Sequence, residues 1–253
     1  AFLTAAKLGT SVGVSESTVV RFANELGYSG YPALQKALQE LIKNRLTTVQ
    51  RIELSNDFIS DGNALKDVLK SDIENLRATL EKIDYKIFED VIKNIFEAKK
   101  IYIIGLRSST ALAEFLGFYL NLILDNVKVV GYGMSDIFEQ MLNLSNEDLV
   151  IGIGFPRYAN RTIEALAFAQ DRKAKVVAIT DSLLSPLANK ADYTLIAQSN
   201  MASFVDSLVA PLSIINALII AVGLREKDKI SSIFANLEGL WENYNVYTYK
   251  NKD

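Results

Sequence analysis

Two short stretches gather residue types suited to holding an anion. They are "GLRSST" at 105–110 and "GFPRYANRT" at 154–162. Each follows an apolar, β-branched run ("KIYIIG" and "DLVIGI") and each leads into a helical pattern. A helix start presents unpaired N–H groups and a partial positive charge. Hydroxyls beside it complete an oxyanion cradle. Gly105 permits a tight turn and a close backbone approach, and Ser108, Ser109 and Thr110 stand at the first helix start. In the second stretch Arg157 offers a planar guanidinium suited to phosphate, Tyr158 a phenol, Asn160 an amide and Thr162 a hydroxyl at another helix start. A plainer reading of "GLRSST" is that its hydroxyls only cap their own helix. Pro-Arg-Tyr does nothing to start a helix, although Arg157 also fits a surface or interface ion pair.

The 253 residues include neither cysteine nor histidine. Disulfides, thiolate chemistry, a Ser-His-Asp triad and a histidine pH switch are therefore excluded. A zinc site would need carboxylates alone, so no metal or cofactor is expected. Proton-transfer chemistry beside a carbonyl needs a base. Glu114, Asp136 and Glu139 are the candidates, but each also reads as a helix-surface or helix-start charge. The expectation is a binding protein, not an enzyme.

These loops need a scaffold, and the pattern after residue 100 supplies one. "KIYIIG", "VKVVGY", "DLVIGIG", "KVVAIT" and "YTLIA" alternate with helical segments at 109–124, 135–143, 161–172 and 185–190. Such alternation predicts an α/β fold, a parallel sheet covered by helices. In the order 2-1-3-4-5, strands one and three are neighbours, and both loops open on one crevice beyond the strand ends. Two long helices, about 203–223 and 226–243, close the chain. The apolar run 207–223 contains Pro211, Ser213 and Asn216 and is short for a membrane span, so it reads as a core or subunit-interface helix. Net charge is −3, and the cytoplasm is the expected setting.

The first fifty residues contain no strand pattern. Two short amphipathic segments, separated by Gly13 and Val14, match a helix-turn-helix, with a mini-core of Ala5, Leu8, Val14, Val19, Phe22 and Leu26. Docking of the second helix in a major groove directs Ser15, Ser17, Thr18 and Arg21 toward DNA. Lys7, Arg21, Lys36, Lys43 and Arg45 outnumber Glu16, Glu25 and Glu40. A helical dimerisation module is the alternative. The opening "AFLTAAKLG" lacks a Met and is already helical in pattern, so a further helix is expected upstream. The expected division is 1–50 for the DNA-binding module, 51–82 for linker helices with a break at "SDGN" 60–63, and 83–253 for the α/β domain.

"GLRSS", "FPRY" and "ITDSLLSPLANKAD" (179–192) give residues 84–225 a resemblance to a sugar isomerase (SIS) domain. With "VSESTVVRFANELGYSGYPALQKAL" (14–38), the whole chain is similar to the RpiR/MurR family of bacterial transcription regulators. The SIS pattern Ser-x-Ser-Gly-x-Thr after the third strand falls on Arg157 to Thr162. Only Thr162 matches it, and Ala159 stands where RpiR-type regulators usually carry Ser. The resemblance implies operator DNA and a phosphosugar effector as partners, a homodimer or homotetramer, and control of transcription, by default repression.

Overall fold

In the computed structural model, residues 3–42, 47–55, 63–201 and 203–247 are described, without the side chains of 36, 39–42 and 53–55. Lys36, Glu40, Lys43, Arg45 and most of the "SDGN" break thus lie outside the described side chains or residues. The chain divides into two units: Ala1–Lys70 with Met201–Asp206, and Ser71–Asn200 with Ser207–Asp253.

The first unit contains α1 (Ala5–Val12), α2 (Glu16–Glu25), α3 (Tyr31–Ile42) and α4 (Thr48–Ser55). Thr4 caps α1 by accepting the Lys7 N–H, and Ser15 caps α2 by accepting the Thr18 N–H. Between them Gly13 takes φ 74°, the left-handed conformation that glycine adopts at little cost. Gly9 inside α1 is equally constrained. A Cβ there would lie 2.7 Å from the Val14 carbonyl oxygen, so only glycine lets the turn fold back on the helix.

Val19, Ala23, Tyr31 and Leu34 form the mini-core, with Ala5, Leu8 and Val20 packed on it. The expected core is thereby corrected. Val14, Phe22 and Leu26 are exposed, the last two by 58% and 53%. The buried stripe of α2 runs through 19, 20 and 23, and Phe22 falls on the neighbouring face. In α4, the buried Arg51 donates to Asp206 at 2.8 Å, and the pair is almost fully withdrawn from solvent.

α5 (Ala64–Lys82) runs across the boundary between the units. The second unit continues with α6 (Tyr85–Glu97), β1 (Ile101–Gly105), α7 (Thr110–Ile123), β2 (Val127–Val130), α8 (Ile137–Gln140), β3 (Leu149–Ile153), α9 (Asn160–Asp171), β4 (Lys175–Thr180), β5 (Tyr193–Ile196), α10 (Val209–Arg225) and α11 (Lys227–Asn243). All strands are parallel in the order β2-β1-β3-β4-β5. Alternation assigns each strand residue to one face. Ile101, Ile103, Leu149, Ile151 and Ile153 pack under α6, α7 and α10, whereas Tyr102, Ile104 and Val150 pack under α8 and α9. The result is a three-layer αβα unit, as the strand–helix alternation predicts.

Two helix expectations are corrected. The segment 185–190 holds only a 3-10 turn at Ala188–Lys190, anchored by the Ser185 hydroxyl accepting the Ala188 N–H. The helix expected from 203 begins at Val209. Pro211 explains this, because its ring lacks an N–H and clashes one turn back; it is tolerated only in a first helical turn. No single helix among the described residues is long and apolar enough to cross a membrane.

Candidate functional site

Register fixes the geometry of the two loops. Gly105, the last residue of β1, pairs with Ile153, the last residue of β3. The chain therefore leaves both strands at the same level, side by side, as expected from the strand order. After β1 it forms a 3-10 turn, Arg107–Ser109, and enters α7 at Thr110. Ser108 is exposed, Ser109 buried and Thr110 half-buried. After β3, Pro156 is buried, Arg157 and Asn160 are exposed, Tyr158 is half-buried and Thr162 is 1% exposed.

Neither helix start is capped by a side chain. Ser109 is the N-cap of α7 and Ala159 that of α9, and neither makes a side-chain capping bond. Hydroxyls that merely capped their own helix would accept from it, so the capping reading of "GLRSST" does not hold. At the start of α9 the Asn160 and Arg161 N–H groups keep their partial positive charge, whereas the Ser109 N–H donates to the Leu106 carbonyl, the Thr110 N–H to the Arg107 carbonyl and the Thr162 N–H to the Ala159 carbonyl. The Thr162 hydroxyl oxygen is buried without a hydrogen-bond partner among the described residues. Such a group ordinarily costs about 1–3 kcal/mol.

The fold itself requires Gly105. A Cβ there would lie 2.6 Å from the Ser109 carbonyl oxygen, so glycine lets the 3-10 turn close over the end of β1. Both loops also hold an arginine at positive φ, 59° at Arg107 and 67° at Arg157. A non-glycine residue in that region costs about 1–2 kcal/mol, and such strain concentrates where a site is built. The sequence reading passed over Arg107; its place in "GLRSST" was the available signal. The Tyr158 hydroxyl donates to Asp181 at 2.7 Å, on the loop after β4. The Thr180 hydroxyl meets the same carboxylate oxygen at 3.3 Å, and Gln198 donates to the Asp181 carbonyl at 2.9 Å.

The loop after β5 is also tied down within this unit. Asn75 of α5 donates to the Asn200 carbonyl and accepts the Asn200 N–H, each at 3.1 Å. The Thr79 hydroxyl accepts the Gln198 N–H at 2.8 Å. The carboxylates considered as bases lie otherwise. Asp136 and Glu139 form a reciprocal capping box at α8, and Glu114 lies exposed on α7. Arg161 is drawn toward Glu164 at 3.2 Å and the Phe138 ring at 5.6 Å. A mostly apolar cavity of about 200 Å³ lies elsewhere, between α6 and the edge strand β5, lined by Ile83, Ile87, Phe88, Leu183 and Ile196.

In the first unit, the Ser15 hydroxyl is engaged by the α2 cap and by Ser17 and Thr18, each 2.8 Å away. Thr18 is half-buried, while Ser17 and Arg21, one helical turn apart, are exposed on a shared face.

Comparison with known proteins follows the same division. Residues 94–221 match the SIS domain family, and residues 2–45 match the helix-turn-helix domain of the rpiR family. The chain is 31% identical to the sugar isomerase domain of an RpiR transcription factor from Sphaerobacter thermophilus, covering 98% of that structure and 70% of its own length at TM-score 0.67. This chain belongs to the RpiR family. An RpiR-type helix-turn-helix and a SIS domain are thus joined in it. An HTH-type transcriptional regulator of Haemophilus influenzae is 28% identical over 188 residues, which span 72% of this chain and 64% of that relative. A regulator of Clostridium perfringens is 25% identical over 185 residues, 72% of this chain and 65% of the relative. In fold, the chain is also similar to the NanR protein of Vibrio vulnificus complexed with ManNAc-6P, at 22% identity and TM-score 0.60 over 94% of this chain and 86% of that one.

Proposed function

We propose that this RpiR-family protein is a cytoplasmic transcriptional regulator, by default a repressor, that binds operator DNA and senses a sugar phosphate without turning it over. Residues 1–50 carry the DNA-binding face, with Ser17 and Arg21 reaching phosphate or a base edge and Ser15 and Thr18 holding the helix start. Residues 83–253 carry the sensor, and 51–82 connect the two. The anionic group lies between the loops after β1 and β3. It receives the Asn160 and Arg161 N–H groups at the start of α9, the hydroxyls of Ser108, Ser109, Thr110 and Thr162, the Asn160 amide and the Arg157 guanidinium. Arg107 adds a second guanidinium at the same end of the sheet. Tyr158 acts indirectly, by holding Asp181.

One observation carries this reading: the buried Thr162 hydroxyl, without a partner among the described residues, at the uncapped start of α9. A phosphate oxygen is an acceptor that this hydroxyl lacks. The ManNAc-6P bound by the NanR protein makes an amino-sugar phosphate a suitable first candidate. Catalysis finds little support, because Asp136 and Glu139 are engaged with each other's backbone and no histidine is present.

For ligand to change DNA affinity, it must favour one of two arrangements of the protein. The bonds of Asn75 and Thr79 to the segment after β5 give α5 a share in whatever happens at that end of the sheet. Thermal shift with ManNAc-6P and fructose 6-phosphate, beside a coupled isomerase assay and operator-binding anisotropy, tests the proposal. Stabilisation by a sugar phosphate, no turnover and altered DNA affinity are expected. Turnover, or the absence of any stabilisation, would contradict it.

A further inference from the structure

The loop after β2, "GYGMSD" at 131–136, supplies nothing to the anion site, yet it borders it. β2 ends level with β1, since Val130 pairs with Ile104. β1 sends its chain to α7 on one face of the sheet, whereas β2 and β3 send theirs to α8 and α9 on the other. No helix from β1 separates that pair, so α8 and α9 are neighbours. Their starts meet. Asp136, the N-cap of α8, lies 3.8 Å from the Arg161 guanidinium in the first turn of α9, and the Phe138 ring lies 5.6 Å from the same group. The crevice between the loops after β1 and β3 therefore opens beside residues 131–136.

This loop has a fixed base and a projecting tip. The Gln140 amide closes the base. It accepts the Gly131 N–H at 3.3 Å and donates to the carbonyls of Gly131 at 2.7 Å and Ser135 at 3.1 Å. Between these anchors Tyr132 is 73% exposed and Met134 wholly exposed. A Cβ on Gly131 or Gly133 would meet nothing within 4 Å, so the tip stands in open space. A single exposed apolar side chain is ordinary on a protein surface. Two on one anchored tip, at the mouth of a crevice, form a surface that a ligand can cover.

The other rings on the strand-end loops of this unit are already committed. Phe155 is buried, and Tyr158 donates to Asp181. Leu183, exposed on the loop after β4, lines the cavity beside β5. We propose that Tyr132 is the specificity-determining contact for the sugar part of the ligand, with Met134 covering the adjoining edge. This rests on the sensor reading and deepens it by dividing the labour. The loops after β1 and β3 hold the phosphate that every sugar phosphate shares, and the tip reads the ring that differs. A sugar ring offers C–H groups on its flat faces, and the electron-rich face of a phenol ring attracts them. Methionine is unbranched and soft, which suits a substituent such as the methyl of an N-acetyl group. The distance is appropriate. Adjacent strands lie about 4.8 Å apart, so the middle of the crevice is about 7 Å from the end of β2. A sugar ring and a tyrosine side chain laid end to end span that gap.

Titration of the full chain with ManNAc-6P, fructose 6-phosphate and inorganic phosphate tests the assignment. Tyr132→Ala should weaken the tighter sugar phosphate by about 10-fold or more, the effect of losing one large apolar contact. Its Kd for inorganic phosphate should move by less than about twofold, because the anion site does not include the ring. Tyr132→Phe keeps the ring and should keep most of the sugar-phosphate affinity. Circular dichroism should be unchanged in both variants, since the side chain is exposed. If wild type binds neither phosphate nor a sugar phosphate, the sensor reading fails and this assignment falls with it. If wild type binds both and Tyr132→Ala leaves the sugar-phosphate Kd unchanged, the sensor reading stands and this assignment alone is overturned. Equal weakening toward both ligands, or a wild type that holds no sugar phosphate more tightly than inorganic phosphate, would overturn it as well.

Discussion

Thr162→Val separates the cost of a binding site from its benefit. The side chain is 1% exposed and its hydroxyl has no partner among the described residues. Valine has nearly the same shape and lacks the group that needs one. Leaving a buried polar atom unsatisfied costs about 1–3 kcal/mol, and an apolar replacement of the same shape removes that cost. Against this stands the slightly lower helix propensity of a β-branched residue, which Thr and Val share, so it cancels. The ligand-free variant should therefore be more stable by about 1 kcal/mol. For a protein of this size that is a rise of about 2–4 °C in Tm. Ligand affinity should fall. A hydrogen bond to a charged group contributes about 1.5–3 kcal/mol, equivalent to roughly 10- to 150-fold in Kd. Differential scanning calorimetry without ligand and isothermal titration with a sugar phosphate measure the two effects. A variant less stable than wild type, or one that binds with unchanged affinity, would refute the reasoning.

Other perturbations address the parts around that hydroxyl. Arg157→Ala and Arg157→Gly should both weaken sugar-phosphate binding, and by titration calorimetry the effect should be similar. The glycine variant should melt higher than the alanine variant, because φ 67° strains any residue with a Cβ by about 1–2 kcal/mol. Asp206→Ala strands the buried Arg51, and should lower stability in urea unfolding by about 3–5 kcal/mol; a loss below about 1 kcal/mol would mean that the pair is solvated. Thr79→Val removes the acceptor for the Gln198 N–H; ligand affinity and operator affinity should each survive while ligand loses its effect on DNA in an anisotropy titration. Burial, reinforced by the negative charge of Asp148, pushes the Tyr102 phenol above its ordinary 10.0. A raised folded value contributes stability that is present below the unfolded value and lost as pH rises through the folded one. Unfolding free energy should therefore fall above pH 10.0, and Tyr102→Phe should flatten that fall.

Elements governed by local periodicity were legible in the sequence. The five strands, their parallel pairing and the helix starts near 110 and 160 follow from β-branched runs alternating with helical patterns. Helix ends set by single residues were less so. Pro211 denies the helix expected from 203, and a lone serine turns 185–190 into one short turn. Side-chain partners across the fold were illegible. Nothing in "FPRY" announces that Tyr158 reaches Asp181, 23 residues away, because that distance is closed by the β3–β4 pairing. Nor does the pattern of α2 distinguish Phe22, which is exposed, from Val19, which is buried. Both are apolar at helical spacing, and α1 and α3 select the face. The glycines at 9 and 105 were read as turn formers, or passed over, while their function is to admit a backbone atom within 3 Å of where a Cβ would stand.

The central claim is that one anion sits between the loops after β1 and β3. Amide chemical shifts of the isotope-labelled full chain, titrated with inorganic phosphate and then with ManNAc-6P, test it most directly. The account predicts the largest shifts at Ser109, Thr110, Asn160 and Arg161, in both loops and with a single Kd for each ligand. Shifts confined to one loop, or clustered around the cavity at Phe88 and Leu183, would contradict it.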